Sequence, residues 1–426
     1  MSHIQIDRSL QYMDGTQRVF DEETTLGNTK PHLEEIGVTR IASITDLDRI
    51  GIPVFSAIRP TAAEGAISIY SGKGSTESQA RISSMMESFE RCLAERIGVN
   101  ADIVEDVAAE EFIESVENAS DGHELVDPNK LLLAEPLPPE SLVEWTQGWD
   151  LLLEKEVYVP SNAVYHPYDS PGMSARLFRS NTNGLASGNV IEEAILHGLL
   201  EVIERDALSI AEFNRNPGKQ IILSENDGVN YELMQKFESN GVQLKLWLLP
   251  HDTGITSVVA ATDDLDLKDA ALLVMGAGSH LNPEIAIRRA ITEAAQSRVV
   301  QIHGAREDTD RESFVRQIGY ERMKRMNRFW YEDSESVTTG ELNDISSATP
   351  AENIDVVLDE LRKITDSAIV VDLSRKNVGV PVVRVIIPGF EQYTLDRERV
   401  GHRVRKGRKP SPSSEKPWKR RFGKRK

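Results

Sequence analysis

The chain has 426 residues, 39% of them hydrophobic, and carries 49 Lys or Arg against 68 Asp or Glu. That length allows two or three ordinary domains or one large α/β unit with a substantial core, and the acidic balance argues against general nucleic-acid binding. Its single cysteine, Cys92, excludes an internal disulfide framework and any multi-Cys zinc site, pointing to a reducing compartment.

Residues 1–37 are polar and poorly periodic, an extension expected to lie across the body. The first residues lack a basic-then-apolar signal and no run of about eighteen apolar residues follows, so a cytoplasmic protein without a membrane partner is expected. Strand-like runs at Ile52–Ile58 and Ala66–Tyr70 lead to Ser71-Gly72-Lys73-Gly74, read as a turn that opens a helix. On that helix Ile82, Met85, Met86, Phe89 and Leu93 form an apolar stripe, while Ser83, Glu87 and Glu90 share another face. Cys92, near its end, reads as a small packed residue more readily than as a nucleophile.

An acidic surface helix is expected over Glu105–Glu117, with strands at Leu142–Trp149 and Glu156–Pro160. The Ser-, Asn- and Gly-rich loop Ser170–Gly188 opens a second helix, buried through Ile191, Ala194, Ile195, Leu199, Val202 and Ile203, with Glu193, His197, Glu201 and Glu204 as its polar ridge. Leu244–Leu249, Thr256–Thr262 and Ala270–Met275 read as buried strands, and Gly276-Ala277-Gly278 as a turn into a third helix, Pro283 to about Val300, that aligns Arg289, Glu293 and Gln296. A helix at Ile354–Ile364 and strands at Ser367–Val371 and Val382–Ile387 follow. Strands and helices alternate without a repeating βαβ rhythm, which predicts an α/β protein of mixed α+β type built on mixed sheets. His402–Lys426 holds 12 Lys or Arg and one acid, leaving 37 basic against 67 acidic residues before it. Its Pro- and Ser-rich composition predicts a disordered tail, a solubilising extension or tether, or a contact to RNA or an acidic partner that Trp418 and Phe422 would favour.

Glu-x-x-Glu-Arg occurs twice, as Glu87, Glu90, Arg91 and as Glu201, Glu204, Arg205. Gly74 and Gly188 each stand thirteen residues before the first Glu, and Ala80, Ala194 and Ala286 each seven before Glu87, Glu201 and Glu293. This spacing indicates an internal duplication whose helices bring several carboxylates together. Like charges so placed repel unless cations sit between them, and hard oxygen ligands with few nitrogens suit Mg²⁺ shared with a nucleotide phosphate. A single copy would read more readily as a solvated helix face with a local ion pair; the matched second copy reverses that and favours the shared site. A di-iron bundle needs Glu-x-x-His on two helices, which follows none of Glu87, Glu201 or Glu293. Gly72-Lys73-Gly74 is no P-loop; one helix from the carboxylates, Lys73 becomes a phosphate or carboxylate partner.

Several motifs together resemble the YcaO proteins, which use ATP to activate peptide backbone amides: Ser83-x-x-x-Glu87-x-x-Glu90-Arg91, Asn183-Gly184-x-Ala186-x-Gly188-Asn189, Glu193-Ala194, Gly198-Leu199-x-Glu201-x-x-Glu204-Arg205 and Glu293-Ala294-Ala295-Gln296-Ser297-Arg298. The resemblance covers roughly residues 38–401, a catalytic domain between the 1–37 extension and the 402–426 tail. It implies that Glu87, Glu90, Glu201 and Glu204 hold Mg²⁺ against ATP. It also implies that Ser83, Asn189, Glu193, Arg205 and the third-helix residues Arg289, Glu293, Gln296 and Arg298 line the nucleotide, with Arg91 and Arg205 meeting the transferring phosphoryl. Arg298 lies about 180° from Arg289 on a helical wheel, so its residues alone read as a structural ion pair; only the motif recommends it.

Val38-Thr39-Arg40-Ile41-Ala42, Gly51-Ile52-Pro53-Val54 and Ser56-Ala57-Ile58-Arg59-Pro60 look most like the archaeal, TfuA-associated branch, linked to thioamide formation, including on a glycine of the methyl-coenzyme M reductase alpha subunit. The azoline-forming branch typically ends in Pro-x-Pro-x-Pro, whereas here Pro410-Ser411-Pro412 is internal. The expected activity is ATP-driven thioamidation of a peptide or protein substrate by a homodimer, with a TfuA-like partner delivering sulfur. The alternatives are an azoline-forming cyclodehydratase and a non-catalytic ATP-binding scaffold.

Overall fold

A computed structural model describes residues 4–13, 16–96, 111–304 and 311–406. After helix α1 (Glu22–Thr29), strands β1 (Arg40–Ser43), β2 (Val54–Ile58) and β3 (Ile69–Lys73) form an antiparallel sheet in that order. Helix α2 (Glu77–Leu93) folds back over it, its first turn capped by the Thr76 side chain, which accepts from the Gln79 amide. The turn expected at Ser71–Gly74 is mostly strand, because β3 runs through Lys73. A Cβ on Gly72 would collide with the Ala80 carbonyl oxygen and the Ser84 amide nitrogen, so this glycine marks close approach of helix to strand.

The surface helix expected over Glu105–Glu117 is corrected where the structure describes it: 105–110 lie outside the described residues, and β4 (Glu111–Ser115) is an edge strand followed by the short α3 (Val116–Ala119). Its registry explains why. Phe112 faces Trp145 across the ladder and packs into an aromatic cluster, while Ile113 points out at 49% exposure, the alternation of a half-buried strand. Strands β5 (Leu142–Asp150) and β6 (Lys155–Pro160) pair antiparallel, and β7 (Leu185–Ser187) leads into α4 (Ile191–Asn214).

The next sheet is built from β8 (Lys219–Ile222), helix α5 (Val229–Glu238), β9 (Val242–Leu248), β10 (Thr256–Asp264) and β11 (Met275–His280), which α6 (Pro283–His303) covers. Helices α7 (Arg311–Ile318) and α8 (Tyr320–Met326) precede β12 (Ser336–Thr338), which joins β8 in parallel to give the order β11-β10-β9-β8-β12. The strand expected over Ala270–Met275 is a 3₁₀ turn, Ala270–Leu272, and Gly276-Ala277-Gly278 lies inside β11. A Cβ on Gly276 would strike the Ala290 carbonyl oxygen, and one on Gly278 that of Ala286. After α9 (Pro350–Leu361), β13 (Ile369–Asp372) and β14 (Val382–Ile386) return to complete the order β4-β5-β13-β14-β7, with β6 on β5.

Helix α4 touches β7 and β14 of one sheet and β10 and β11 of the other. Leu199, Ile203, Ala207 and Ala211 are 0% exposed, and each large aliphatic so buried contributes roughly 1.5–3 kcal/mol. Helix α2 also reaches β7, and α6 also reaches β3, so the three helices meet where the three sheets join. The segment at 1–37 is more than a polar extension where described: Leu33 and Ile36 belong to the core, and Ile4 and Ile6 pack against a second cluster. The tail is also shorter than expected, since Arg403–Arg405 forms a 3₁₀ turn in which Val404 is 0% exposed. No helix among the described residues is long and apolar enough to cross a membrane.

Candidate nucleotide and metal site

The duplicated spacing is duplicated geometry. A Cβ on Gly74 would stand 2.6 Å from the Ala80 amide nitrogen, and one on Gly188 the same 2.6 Å from that of Ala194. In each copy the chain crosses its own helix at the first turn, and two turns later the helix presents its first Glu. Ala80, Ala194 and Ala286 are all 0% exposed, holding the helices against the sheets so that the ridges face one another.

Glu87 accepts from Arg91 Nε at 2.7 Å, and Glu90 accepts from the Ser187 amide at 3.0 Å and its hydroxyl at 2.8 Å, tying α2 to the strand that launches α4. Lys73 Nζ donates to Glu293 at 2.5 Å, Arg205 stands 3.6 Å from Glu204 and 3.9 Å from Glu293, and Gln296 donates to the Ser71 carbonyl. Ser83 is one turn before Glu87 on the same helix and half-buried. The structure thus brings Glu87, Glu90, Arg91, Glu201, Glu204, Arg205, Glu293, Lys73 and Gln296 to one region.

Electrostatics divides these carboxylates. Burial would raise Glu87, but Arg91 outweighs it and holds it low; burial would likewise raise Glu293, and Lys73 and Arg205 hold it low. Glu90 is pushed well up by burial and by the charge of Glu87, Glu201 is pushed up to about 7 by burial, and Glu204 is raised by burial although Arg205 opposes it. Nearby, His280 is driven down to about 3 by burial and by Arg289 and Arg18, and His197 falls well below its ordinary range for the same reasons, with Lys73 added. A cationic flank of Lys73, Arg205 and Arg289 therefore borders Glu204, while Arg289 and Arg18 bear on the two histidines.

Asn189 and Glu193 are held together, the Asn189 amide and Nδ2 donating to Glu193 at 3.0 and 3.1 Å. The segment before residue 38 completes them: Val19 N donates to Glu193 at 2.6 Å and Thr25 Oγ1 to Asn189 Oδ1 at 2.9 Å, while Asp7 N reaches Glu192 at 2.7 Å. Sequence reasoning missed these residues, because backbone amides in a stretch without hydrophobic period leave no pattern to read. Arg298 does not join the site. It is 0% exposed and bound to Asp48 at 2.8 Å and Asp264 at 3.0 Å, as its position on the wheel implied and its motif did not. Cys92 is buried, which pushes its thiol up to about 11, so it is no ready nucleophile.

A family model described as YcaO cyclodehydratase, ATP- and Mg²⁺-binding, matches residues 71–391. The chain belongs to the YcaO family. An uncharacterised protein of Methanothermobacter thermautotrophicus is 52% identical over 376 residues, 88% of this chain and 94% of that protein. An uncharacterised protein in the tfuA 3′ region of Rhizobium leguminosarum bv. trifolii is 30% identical over 402 residues, 89% of each chain. The structure of YcaO from Methanopyrus kandleri bound with AMPPCP and Mg²⁺ is 30% identical, with a TM-score of 0.73 over 90% of this chain and 95% of that one. The mixed α/β architecture expected from the sequence is the YcaO fold.

The YcaO ligands can be tested against the residues present. No group of three or more His, Cys, Asp or Glu stands ready around one point among the described residues, so the carboxylates gather more loosely than the duplicated spacing implied: Arg91, Lys73 and Ser187 already engage carboxylate oxygens. Mg²⁺ is ordinarily held by one or two carboxylates, waters and substrate phosphates. Buried carboxylates held above their ordinary range beside a cationic flank fit that demand.

Proposed function

We propose that this YcaO protein uses ATP and Mg²⁺ to phosphorylate a backbone amide oxygen of a peptide or protein and so forms a thioamide. The observation that carries the reading is the charge pattern: burial holds Glu90, Glu201 and Glu204 above their ordinary range, and Lys73, Arg205 and Arg289 border Glu204 as phosphate partners. Glu87, Glu90, Glu201 and Glu204 would hold Mg²⁺, which neutralises phosphate charge and aligns the oxygens for in-line transfer. Ser83, Asn189, Glu193, Arg289, Glu293 and Gln296 line the nucleotide, and Arg91 and Arg205 meet the transferring group. The amide oxygen forms a bond to the γ-phosphorus as the bond to ADP breaks. Hydrosulfide then adds to the carbon, and phosphate leaves with the original oxygen and the sulfur's proton.

The thioamide outcome is supported by the branch-like motifs and by the relative in the tfuA 3′ region, which also favours a TfuA-like sulfur donor. Azoline formation, the chemistry in the family description, is the second reading, and both use residues 38–401 as the catalytic unit. A peptide around a glycine of the methyl-coenzyme M reductase alpha subunit is the first substrate to test. With ATP, Mg²⁺, a sulfide source and that peptide, mass spectrometry should show a gain equal to sulfur minus oxygen together with ATP consumption. Loss of one water from a Ser-, Thr- or Cys-containing peptide would replace thioamidation by the second reading, and a mass change without ATP would reject both.

A further inference from the structure

Arg384 on β14 is 4% exposed, yet only one of its three nitrogens is used: Nη2 donates to the Asn181 carbonyl at 2.7 Å. Its Nε and Nη1 find no hydrogen-bond partner among the described residues, nor does Oδ1 of Asn183, which is 6% exposed. Both side chains line one narrow cleft, and Val202, next to Glu201 on α4, lines it too. In the same cleft Asn181 Nδ2 and Arg399 Nη1 both donate to Gln392 Oε1. What remains open is an acceptor, Asn183 Oδ1, and a pair of donors on a cation. Buried donors and acceptors left unpaired are destabilising, so two such residues in one cleft beside the carboxylates require an occupant. A single ordered water is the plain candidate for its innermost room of about 20 Å³, and the cleft opens to solvent beyond that. The pattern of one acceptor and several donors is also the complement of a peptide group, which offers one N–H and one C=O.

We propose, resting on the amide-phosphorylation reading, that Asn183 and Arg384 form the acceptor side of the site and hold the substrate's reacting amide. Asn183 Oδ1 accepts the amide N–H, and Arg384 donates to its oxygen end. As the oxygen's lone pair forms the bond to phosphorus and the bond to ADP breaks, the amide nitrogen keeps its proton and gains positive charge. That charge strengthens the bond to Asn183, while Arg384 meets the phosphoryl oxygens that arrive. Burial and the neighbouring Arg399 and Arg91 hold the Arg384 guanidinium at about 10, below its ordinary range, with Glu201 partly offsetting them; an incoming anionic oxygen supplies what it lacks. The assignment restricts the substrate to amides that bear an N–H, so the modified residue cannot be followed by proline.

The test uses the full chain saturated with Mg²⁺ and AMPPCP, titrated by ligand-observed NMR with N-methylacetamide and with N,N-dimethylacetamide, which has no N–H. The methylamide should bind wild type about tenfold more tightly. Asn183→Leu should abolish that preference with AMPPCP affinity kept within about twofold, and Arg384→Lys should weaken both probes about tenfold. Should one variant fail to fold, the other still decides. Equal binding of the two probes to wild type, no probe binding, a preference unchanged in the Asn183 variant, affinities unchanged in the Arg384 variant, or AMPPCP affinity falling in the Asn183 variant each overturns the assignment. So does a crystal structure of the ternary complex with only water in the cleft. If wild type instead fails to bind Mg²⁺–AMPPCP, the ATP reading itself falls and takes this one with it.

Discussion

Glu87 and Glu201 hold the same place in a duplicated motif and are shifted in opposite directions. Arg91 turns onto Glu87 at 2.7 Å, whereas Arg205 turns to Glu204 and Glu293, so Glu201 is left to burial and rises to about 7. A glutamate near 4.3 when unfolded and near 7 when folded adds stability that is complete below the lower value and is lost as pH rises through the upper one. The ligand-free protein should therefore lose thermal stability as pH rises through about 7. Mg²⁺–AMPPCP should restore more of it one unit above that value than one unit below, and Glu201→Gln should flatten the difference. Thermal melts with and without ligand check this, and an equal ligand shift at both pH values would count against Glu201 as a metal ligand. Residue identity and spacing made Glu201 visible in the sequence, but nothing in the repeat shows which way each arginine turns.

Among the elements, the three glutamate helices were legible because burial imposes a period on them, and the glycines before them were legible only as signals of special backbone. Gly72, Gly276 and Gly278 read as turns, while the fold uses them as the floor on which α2 and α6 rest; sequence alone cannot tell a missing side chain needed for a turn from one needed for contact. The second half of α4 carries a tie that no sequence pattern announced. Asp206, the residue after Arg205, is 0% exposed and accepts from His251 at 2.6 Å, from Arg403 Nη2 at 2.8 Å and from the Glu391 amide at 2.7 Å. Burial pushes Asp206 up, and His251 and Arg403 more than reverse it. Arg403→Ala leaves this carboxylate short of its main cation and should cost about 3–5 kcal/mol, seen as a lower unfolding midpoint in urea. Deleting 407–426 should leave that midpoint unchanged. A fall on that deletion would mean the basic segment is docked, against its composition.

At the scale of the whole molecule, the three sheets share no strand, and what connects them is the set of helices whose polar ridges form the site. The polar stretch before residue 38 is joined to the same place through Val19 and Thr25, a role no periodicity could announce because it is played by a backbone amide and one hydroxyl. Arg298 shows the converse, a residue singled out by motif that serves as a buried tie between α6, Asp48 and Asp264. If the site is the junction of the fold, filling it should stiffen every part that meets there. Mg²⁺–AMPPCP at about a hundred times its dissociation constant should stabilise the chain by about 2.7 kcal/mol. Hydrogen exchange should then slow together in Glu77–Leu93, Ile191–Asn214 and Pro283–His303 and in the segment 18–25. Slowing confined to one helix would show that the nucleotide contacts a single ridge, and the duplication would then be a relic of ancestry and not a shared site. Slowing of all three helices without 18–25 would separate the N-terminal contacts from nucleotide binding. Joint protection is expected because Glu193 and Asn189 take hydrogen bonds from that segment at one end of α4, and Glu201 and Glu204 stand on the same helix two to three turns further on.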